Sequence, residues 1–277
     1  MPWRAAGVKH NSNEIYIDMV EEIDAILDVS GNVITSDVSG SIQTHSQLSG
    51  VPELLMTFQD PTLIDDCSFH PCVRYSRFEN DQVISFVPPD GHFELMRYRV
   101  NPKVLTSIHP PIYVHPQWSY SSPEKTKGGA ESRITGRVIL NVGIRSASSL
   151  IFSSSRKGAM SVEDVALTIP FPKSVTNATS LDVSIGTVLY DESTRVAKWT
   201  LGKLDVTKKP QLRATIHLNN AKKAPTSNPN ISLQWKIPLA SVSGLSVNGL
   251  SIAGEKYRPY KGVRNITKSG QFQVRCN

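Results

Sequence analysis

Long hydrophobic runs are missing from this 277-residue sequence: no stretch approaches the roughly 18 uninterrupted apolar residues that a membrane-spanning helix needs. The start, Met1-Pro2-Trp3-Arg4-Ala5, also lacks the basic-then-apolar plan of a secretory signal, so a soluble, untargeted chain is expected. Cysteine is scarce. Cys67, Cys72 and Cys276 are too few, and odd in number, for a disulfide framework, which points to a reducing compartment, the cytosol. In that setting the Asn-x-Ser/Thr triplets beginning at Asn177, Asn230 and Asn265 read as chance.

Catalytic signatures are absent as well. There is no G-x-S-x-G elbow, no G-x-x-x-x-G-K phosphate loop and no G-x-G-x-x-G turn, so neither an enzyme nor a cofactor is expected. The densest metal-capable run is Asp65-Asp66-Cys67-Ser68-Phe69-His70-Pro71-Cys72. Structural zinc wants four ligands in paired spacings, and no second Cys/His pair accompanies this one; the reading is buried structural thiols and no metal. Aromatics make up 7% of the chain, and the basic region has no aromatic-interleaved motif, which argues against nucleic acid as a partner.

What the sequence does have is β-branched runs separated by turn residues, at 136–144, 162–169, 187–190 with 196–201, 212–218, 231–237 and 272–275. This is the spacing of all-β sandwiches, and no long helix competes with it. One segment is contested. Ile15, Met19, Ile23 and Leu27 recur every four residues, as in an amphipathic helix, but Ile15, Ile17 and Met19 also alternate with Tyr16, Asp18 and Val20. A turn at Asp28-Val29-Ser30-Gly31-Asn32 followed by another β-like run favours a hairpin, and strand is the reading preferred. Prolines, serines and Gly128-Gly129 between 108 and 132 predict an irregular connection; Ser-rich 146–161 and 219–229 predict two more loops.

Charge divides along the same seam. Residues 1–107 carry a net −8, 108–238 a net +9 and 239–277 a net +5. Lys203, Lys208, Lys209, Lys222 and Lys223 in the basic middle are candidate contacts to an anionic phospholipid surface, each worth about 1 kcal/mol when well placed. A merely solvated basic face is the competing reading.

Several segments together resemble the mu homology domain of clathrin-adaptor medium subunits, most closely that of the third adaptor complex. They are Pro2-Trp3-Arg4, Gly7-Val8-Lys9, Asn13-Glu14-Ile15-Tyr16-Ile17-Asp18-Met19-Val20-Glu21-Glu22-Ile23-Asp24, Leu48-Ser49-Gly50-Val51-Pro52, Asp65 to Arg74, Phe86-Val87-Pro88-Pro89-Asp90-Gly91, Tyr98-Arg99-Val100, Ser243-Gly244-Leu245 and Gly254 to Arg264. The resemblance implies an elongated all-β protein of two β-sandwich subdomains, the second inserted into the first: 1–107 with 239–277, and 108–238. It implies a non-enzymatic module that binds Tyr-x-x-Φ signals, Φ being a bulky apolar residue, in cytosolic tails of transmembrane cargo. Other adaptor-complex subunits would be further partners, on endosomal or trans-Golgi membranes and coated vesicles that serve lysosomes and related organelles. It also implies an additional N-terminal domain in a full medium subunit.

By the same resemblance, Tyr16, Asp18 and Arg264 match the tyrosine-signal pocket, while Ile17, Val247, Leu250 and Val263 match the Φ pocket, with the peptide added as a strand near 262–266. Asp18 should repel a phosphorylated tyrosine. His45 and Gly262 depart from the endocytic relative, which has Lys and Trp there; losing an indole wall removes apolar burial at ~25 cal/mol per Å², so weaker or altered selectivity is expected. Without the resemblance, Ile17, Val247, Leu250 and Val263 read as sandwich core of any β protein, and Asp18 with Arg264 could form an ordinary surface ion pair. The alternative reading is a scaffold or protein-interaction β-sandwich that no longer reads Tyr signals.

Overall fold

From Ile15 to Leu27 every odd-numbered side chain is buried, and the even-numbered ones face outward. The four-residue spacing of Ile15, Met19, Ile23 and Leu27 fits a helix and a strand equally; burial of Ile17, Glu21 and Ala25 between them is what only a period of two produces. The Asp28 carboxylate closes the turn that follows by accepting from the backbone N–H of Ser30 and of Asn32, each at 2.8 Å.

The computed structural model describes residues 1–105, 109–121, 124–125, 132–145, 161–219 and 223–277. Its strands are β1 (Glu14–Leu27), β2 (Val33–Gln47), β3 (Glu53–Phe58), β4 (Ile64–Phe69), β5 (Val83–Phe86), β6 (Gly91–Val100), β7 (Ile112–Tyr120), β8 (Glu124–Lys125), β9 (Ser132–Ile144), β10 (Ser161–Pro170), β11 (Asn177–Val183), β12 (Thr187–Asp191), β13 (Val196–Asp205), β14 (Gln211–Asn219), β15 (Ile231–Pro238), β16 (Val247–Ala253) and β17 (Tyr260–Val274). The helices are short: α1 (Tyr75–Asp81), α2 (Pro102–Leu105) and a 3-10 turn at Pro61–Leu63. Among the described residues no helix is long and apolar enough to cross a membrane.

The architecture is all-β in two sandwich subdomains, the second inserted into the first. A nine-stranded sheet runs β12-β13-β10-β15-β17-β1-β2-β6-β4; a three-stranded sheet, β16-β3-β5, and a five-stranded one, β11-β14-β9-β7 with β8 on β9, complete it. The inner faces of all three meet in one hydrophobic core that includes Ile17, Met56, Phe86, Val138, Leu140, Trp199 and Phe272. Strands of the inserted span share the large sheet with those of the first, because β15 pairs β17 from Pro238 opposite Ile266 to Ile231 opposite Val274.

Two local expectations are corrected. The supposed irregular connection over 108–132 contains the nine-residue strand β7 despite Pro116. β7 is an edge strand, so a missing N–H on its open side breaks no ladder. The strand expected over 272–275 begins at Tyr260 instead; Gly262 and Gly270 are weak strand formers, and pairing to β1 on one side and β15 on the other overrides them. Residues 146–160 and 220–222, in two of the predicted loops, lie outside the described residues.

One polar group is built into this core. Glu21 is 1% exposed. Its carboxylate accepts from Tyr98 Oη at 3.1 Å, Ser241 Oγ at 3.1 Å, the Val242 N–H at 2.7 Å, the Ser243 N–H at 3.1 Å and the Ser243 hydroxyl. Burial, reinforced by this charge, holds the Tyr98 phenol well above its ordinary pKa. The Tyr98 ring lies over Gly40, where an added Cβ would stand 2.0 Å from Tyr98 Cζ, so only glycine fits. Replacing Glu21 with Ala leaves these donors unpaired and should cost about 3–5 kcal/mol in denaturant unfolding. Glu22→Ala, which removes only the half-exposed pair to Lys268 at 2.7 Å, should cost under about 1 kcal/mol.

Candidate functional site

The outward face of β1 carries Tyr16 and Asp18, and the register of its two neighbours decides what meets them. Tyr16 stands opposite Gly262 on β17 and opposite His45 on β2; Asp18 stands opposite Arg264 and Gln43. His45 in turn faces His92 on β6. Side chains from the two ends of the chain thus line one hollow of ≈ 510 Å³, shared with Thr44, Tyr260 and Val263.

At one end of the hollow Arg264 grips Asp18 with both branches of its guanidinium, Nε to Oδ1 at 2.5 Å and the terminal nitrogen to Oδ2 at 2.7 Å. That hydrogen bond and charge raise the Arg264 pKa. The rest is rings. Tyr16 is tilted against Tyr260 at 5.6 Å and stacked on His45 at 6.4 Å, while His45 stacks on His92 at 3.9 Å. Tyr16 Oη donates to Glu14 Oε2 at 2.7 Å, which raises the phenol pKa; Glu14, accepting from Ser12 and Tyr16, is lowered. The phenol of Tyr16 is therefore already engaged, Asp18 and Arg264 engage each other, and Thr44 Oγ1 and His45 Nδ1 are buried with no hydrogen-bond partner among the described residues.

Beside the hollow runs an open sheet edge. β15 joins β17 only from Ile266 onward, and among the described residues no strand covers the other side of 260–265. The Tyr260 N–H donates to the Asn13 carbonyl at 2.9 Å, so strand alternation turns the peptide groups of Lys261, Val263 and Asn265 outward. Ile266 itself, expected within that edge, is taken by Pro238.

The apolar set is less uniform. Val263 is 43% exposed at the open edge, whereas its register partner Ile17 is 0% exposed and lies in the core beneath it. Val247 and Leu250, half-buried on β16, belong to the three-stranded sheet; Lys261 Nζ donates to the Leu250 carbonyl at 2.7 Å and ties that sheet to the edge. Tyr260, His92, Gln43 and Thr44 were not anticipated. Tyr260 is two residues before Gly262, so alternation would have found it had the strand been read from 260; nothing local pairs His92 with His45.

The remaining groups stand apart from this hollow. Lys203 on β13 pairs with Glu163 at 3.1 Å, and Lys208 in the turn after β13 approaches Asp205 at 3.8 Å and donates to the Lys203 carbonyl at 3.3 Å. Lys209 follows in that turn, Lys223 lies between β14 and β15, and Lys222 is outside the described residues. Among the described residues no group of three or more His, Cys, Asp or Glu could hold a metal ion. Burial lifts the Cys72 thiol to about 12 and that of Cys276 to about 11.

Residues 1–276 match the adaptor complexes medium subunit family. The chain belongs to that family. It is 44% identical over 273 residues to the AP-3 complex subunit mu of Dictyostelium discoideum, and 41% over 275 residues to the AP-3 complex subunit mu-2 of Homo sapiens. Each match takes in 99% of this chain and 60% of the relative, so the chain spans about 60% of those relatives' length. Among solved structures, the yeast delta-COP-I mu-homology domain aligns over 96% of this chain and 100% of its own, with a TM-score of 0.62 at 18% identity. The Danio rerio Fcho1 Mu homology domain with bound Eps15 peptide aligns over 96% and 98%, with a TM-score of 0.55 at 14% identity. At such identities the likeness is one of fold.

For this medium-subunit chain the exposure of the hollow has an energetic consequence. The Asp18 and Arg264 side chains are 25% and 60% exposed, so their pair should add less than about 1 kcal/mol to stability. Asp18→Ala and Arg264→Ala should each unfold within a few degrees of the parent in a thermal melt. By contrast, thiol alkylation at pH 8 should leave Cys72 and Cys276 unmodified until the chain is unfolded.

Proposed function

We propose that this chain is the non-enzymatic cargo-recognition part of an AP-3-type adaptor medium subunit, reading Tyr-x-x-Φ signals in the cytosolic tails of transmembrane proteins. The observation that carries the reading is the juxtaposition of an open strand edge at 260–265 with a ring-lined hollow ending in a carboxylate and a guanidinium. An extended tail adds to the edge through main-chain hydrogen bonds, which favour any peptide, and its alternate side chains supply selectivity. One of them enters the hollow, where the phenol meets Asp18 and Arg264. The residue three positions on reaches the apolar set of Val263, Val247 and Leu250, with Ile17 beneath as floor.

In this reading the chain works at the cytoplasmic surface of endosomal or trans-Golgi membranes, with the other subunits of its complex, in traffic towards lysosomes and related organelles. The lysines at 203, 208, 209, 222 and 223 offer a basic approach to anionic lipid. A phosphorylated tyrosine would bring roughly two negative charges beside Asp18 and bind less well.

Calorimetric titration with a Tyr-x-x-Leu tail peptide tests the proposal. Binding should weaken about tenfold or more when the peptide Tyr becomes Ala, when its Tyr is phosphorylated, and when Asp18 becomes Ala. Equal affinity for the Tyr and Ala peptides would overturn it in favour of a scaffold that reads no Tyr signal.

A further inference from the structure

Three exposed large apolar side chains, Tyr16, Tyr260 and Val263, at 38%, 61% and 43% exposure, line the one hollow. Gly262 explains their arrangement. Tyr260, Gly262 and Arg264 follow one another on the same face of β17, so the bare glycine leaves a gap between a phenol ring and a guanidinium. A Cβ placed there would stand 2.7 Å from Tyr16 Cδ1, so the Tyr16 ring takes up the space that a side chain at 262 would fill, while Tyr260 Cε1, at 3.5 Å, would be in ordinary contact with it. Gly262 is thus the position on this face of β17 without a side chain, flanked by Tyr260 and Arg264.

Tyr260 is exposed but mounted on a fixed backbone. Its N–H is held by Asn13, and the next residue, Lys261, is anchored to Leu250. The ring therefore costs little conformational freedom to present, and among the described residues its hydroxyl makes no hydrogen bond that would account for a large aromatic at the surface. We propose that Tyr260 is the outer aromatic wall of the hollow, standing beside the bare position at 262, and that it sets the preference for an aromatic over an aliphatic residue in the ligand. The wall and Tyr16 touch each other, tilted at 5.6 Å between centroids, and together make one aromatic side of the hollow beside Gly262. An aromatic ring packed on that side meets the edges and faces of both phenols, geometry that a leucine cannot exploit. The inference rests on the peptide reading above and adds to it the residue that discriminates.

Chemical-shift titrations, which follow binding into the millimolar range, separate the two. The peptides are Tyr-x-x-Leu and the same sequence with Leu or Ala in place of Tyr, each added to the parent chain, Tyr260→Phe and Tyr260→Ala. Tyr260→Ala should weaken the Tyr peptide about five- to tenfold and leave the Leu and Ala peptides unchanged, while Tyr260→Phe should stay within about twofold for all three. If Tyr260→Ala weakens all three peptides equally, Tyr260 only supports the strand edge and the wall is overturned; the same holds if it weakens none. A parent chain that does not distinguish Tyr from Ala overturns the peptide reading itself, and this inference with it.

Discussion

Parallel pairing of the first strand with the last is the constraint on which the rest of the structure depends. Thirteen register pairs, from Glu14 opposite Tyr260 to Leu27 opposite Val274, bring residues some 250 positions apart side by side. Parallel neighbours need a crossover connection, and here everything between the two strands is that connection, including the inserted sandwich. The loop-closure entropy of so long a return is repaid by buried apolar side chains along both strands and by Glu21. That carboxylate sits on β1, reaches β6 through Tyr98, and gathers the backbone of 242–243 between β15 and β16, so one side chain holds three sequence-distant pieces in register.

The same pairing makes the hollow. Alternation sends Ile15, Ile17 and Met19 into the core and Tyr16 and Asp18 outward, so the rigidity of the inner face positions the outer one. On β17 a change of partner partway along the strand does the remaining work. Its second half is sealed by β15 and its first half is left open, and the point of change at Ile266 lies two residues beyond Arg264. An open edge invites indiscriminate pairing, a hazard proteins limit by keeping such edges short and charged. Here it is six residues long and carries Lys261 and Arg264.

Within the hollow, absence of a side chain at 262 is not simply lost contact area. The reading of Gly262 from sequence counts only the missing indole; in the fold the Tyr16 ring takes up the vacated space and Tyr260 packs against it, so this side of the hollow is made of rings rather than left bare. The polar end is likewise shaped by neighbours: Glu14 occupies the Tyr16 hydroxyl, and Asp18 and Arg264 hold each other bidentately.

Much of this was legible in the residues. Alternation of apolar and polar side chains marks most of the strands, the turn at Asp28 to Asn32 marks the first hairpin, and Tyr16, Asp18, His45, Gly262 and Arg264 could be named together from a family likeness. What alternation cannot reveal is partnership. Period two says that Tyr16 and Asp18 share a face, but that Gly262 and Arg264 lie against them, that His92 stacks on His45, and that Tyr260 packs against Tyr16 follow from register between strands distant in sequence. β7 and the first half of β17 were missed for the same reason, since proline and glycine lower local strand propensity and only pairing with neighbours overrides it. The sequence by itself determined which residues face in and which face out; the tertiary structure decided which outward residues meet, because hydrogen-bonded register is a property of two strands and is written in neither one alone.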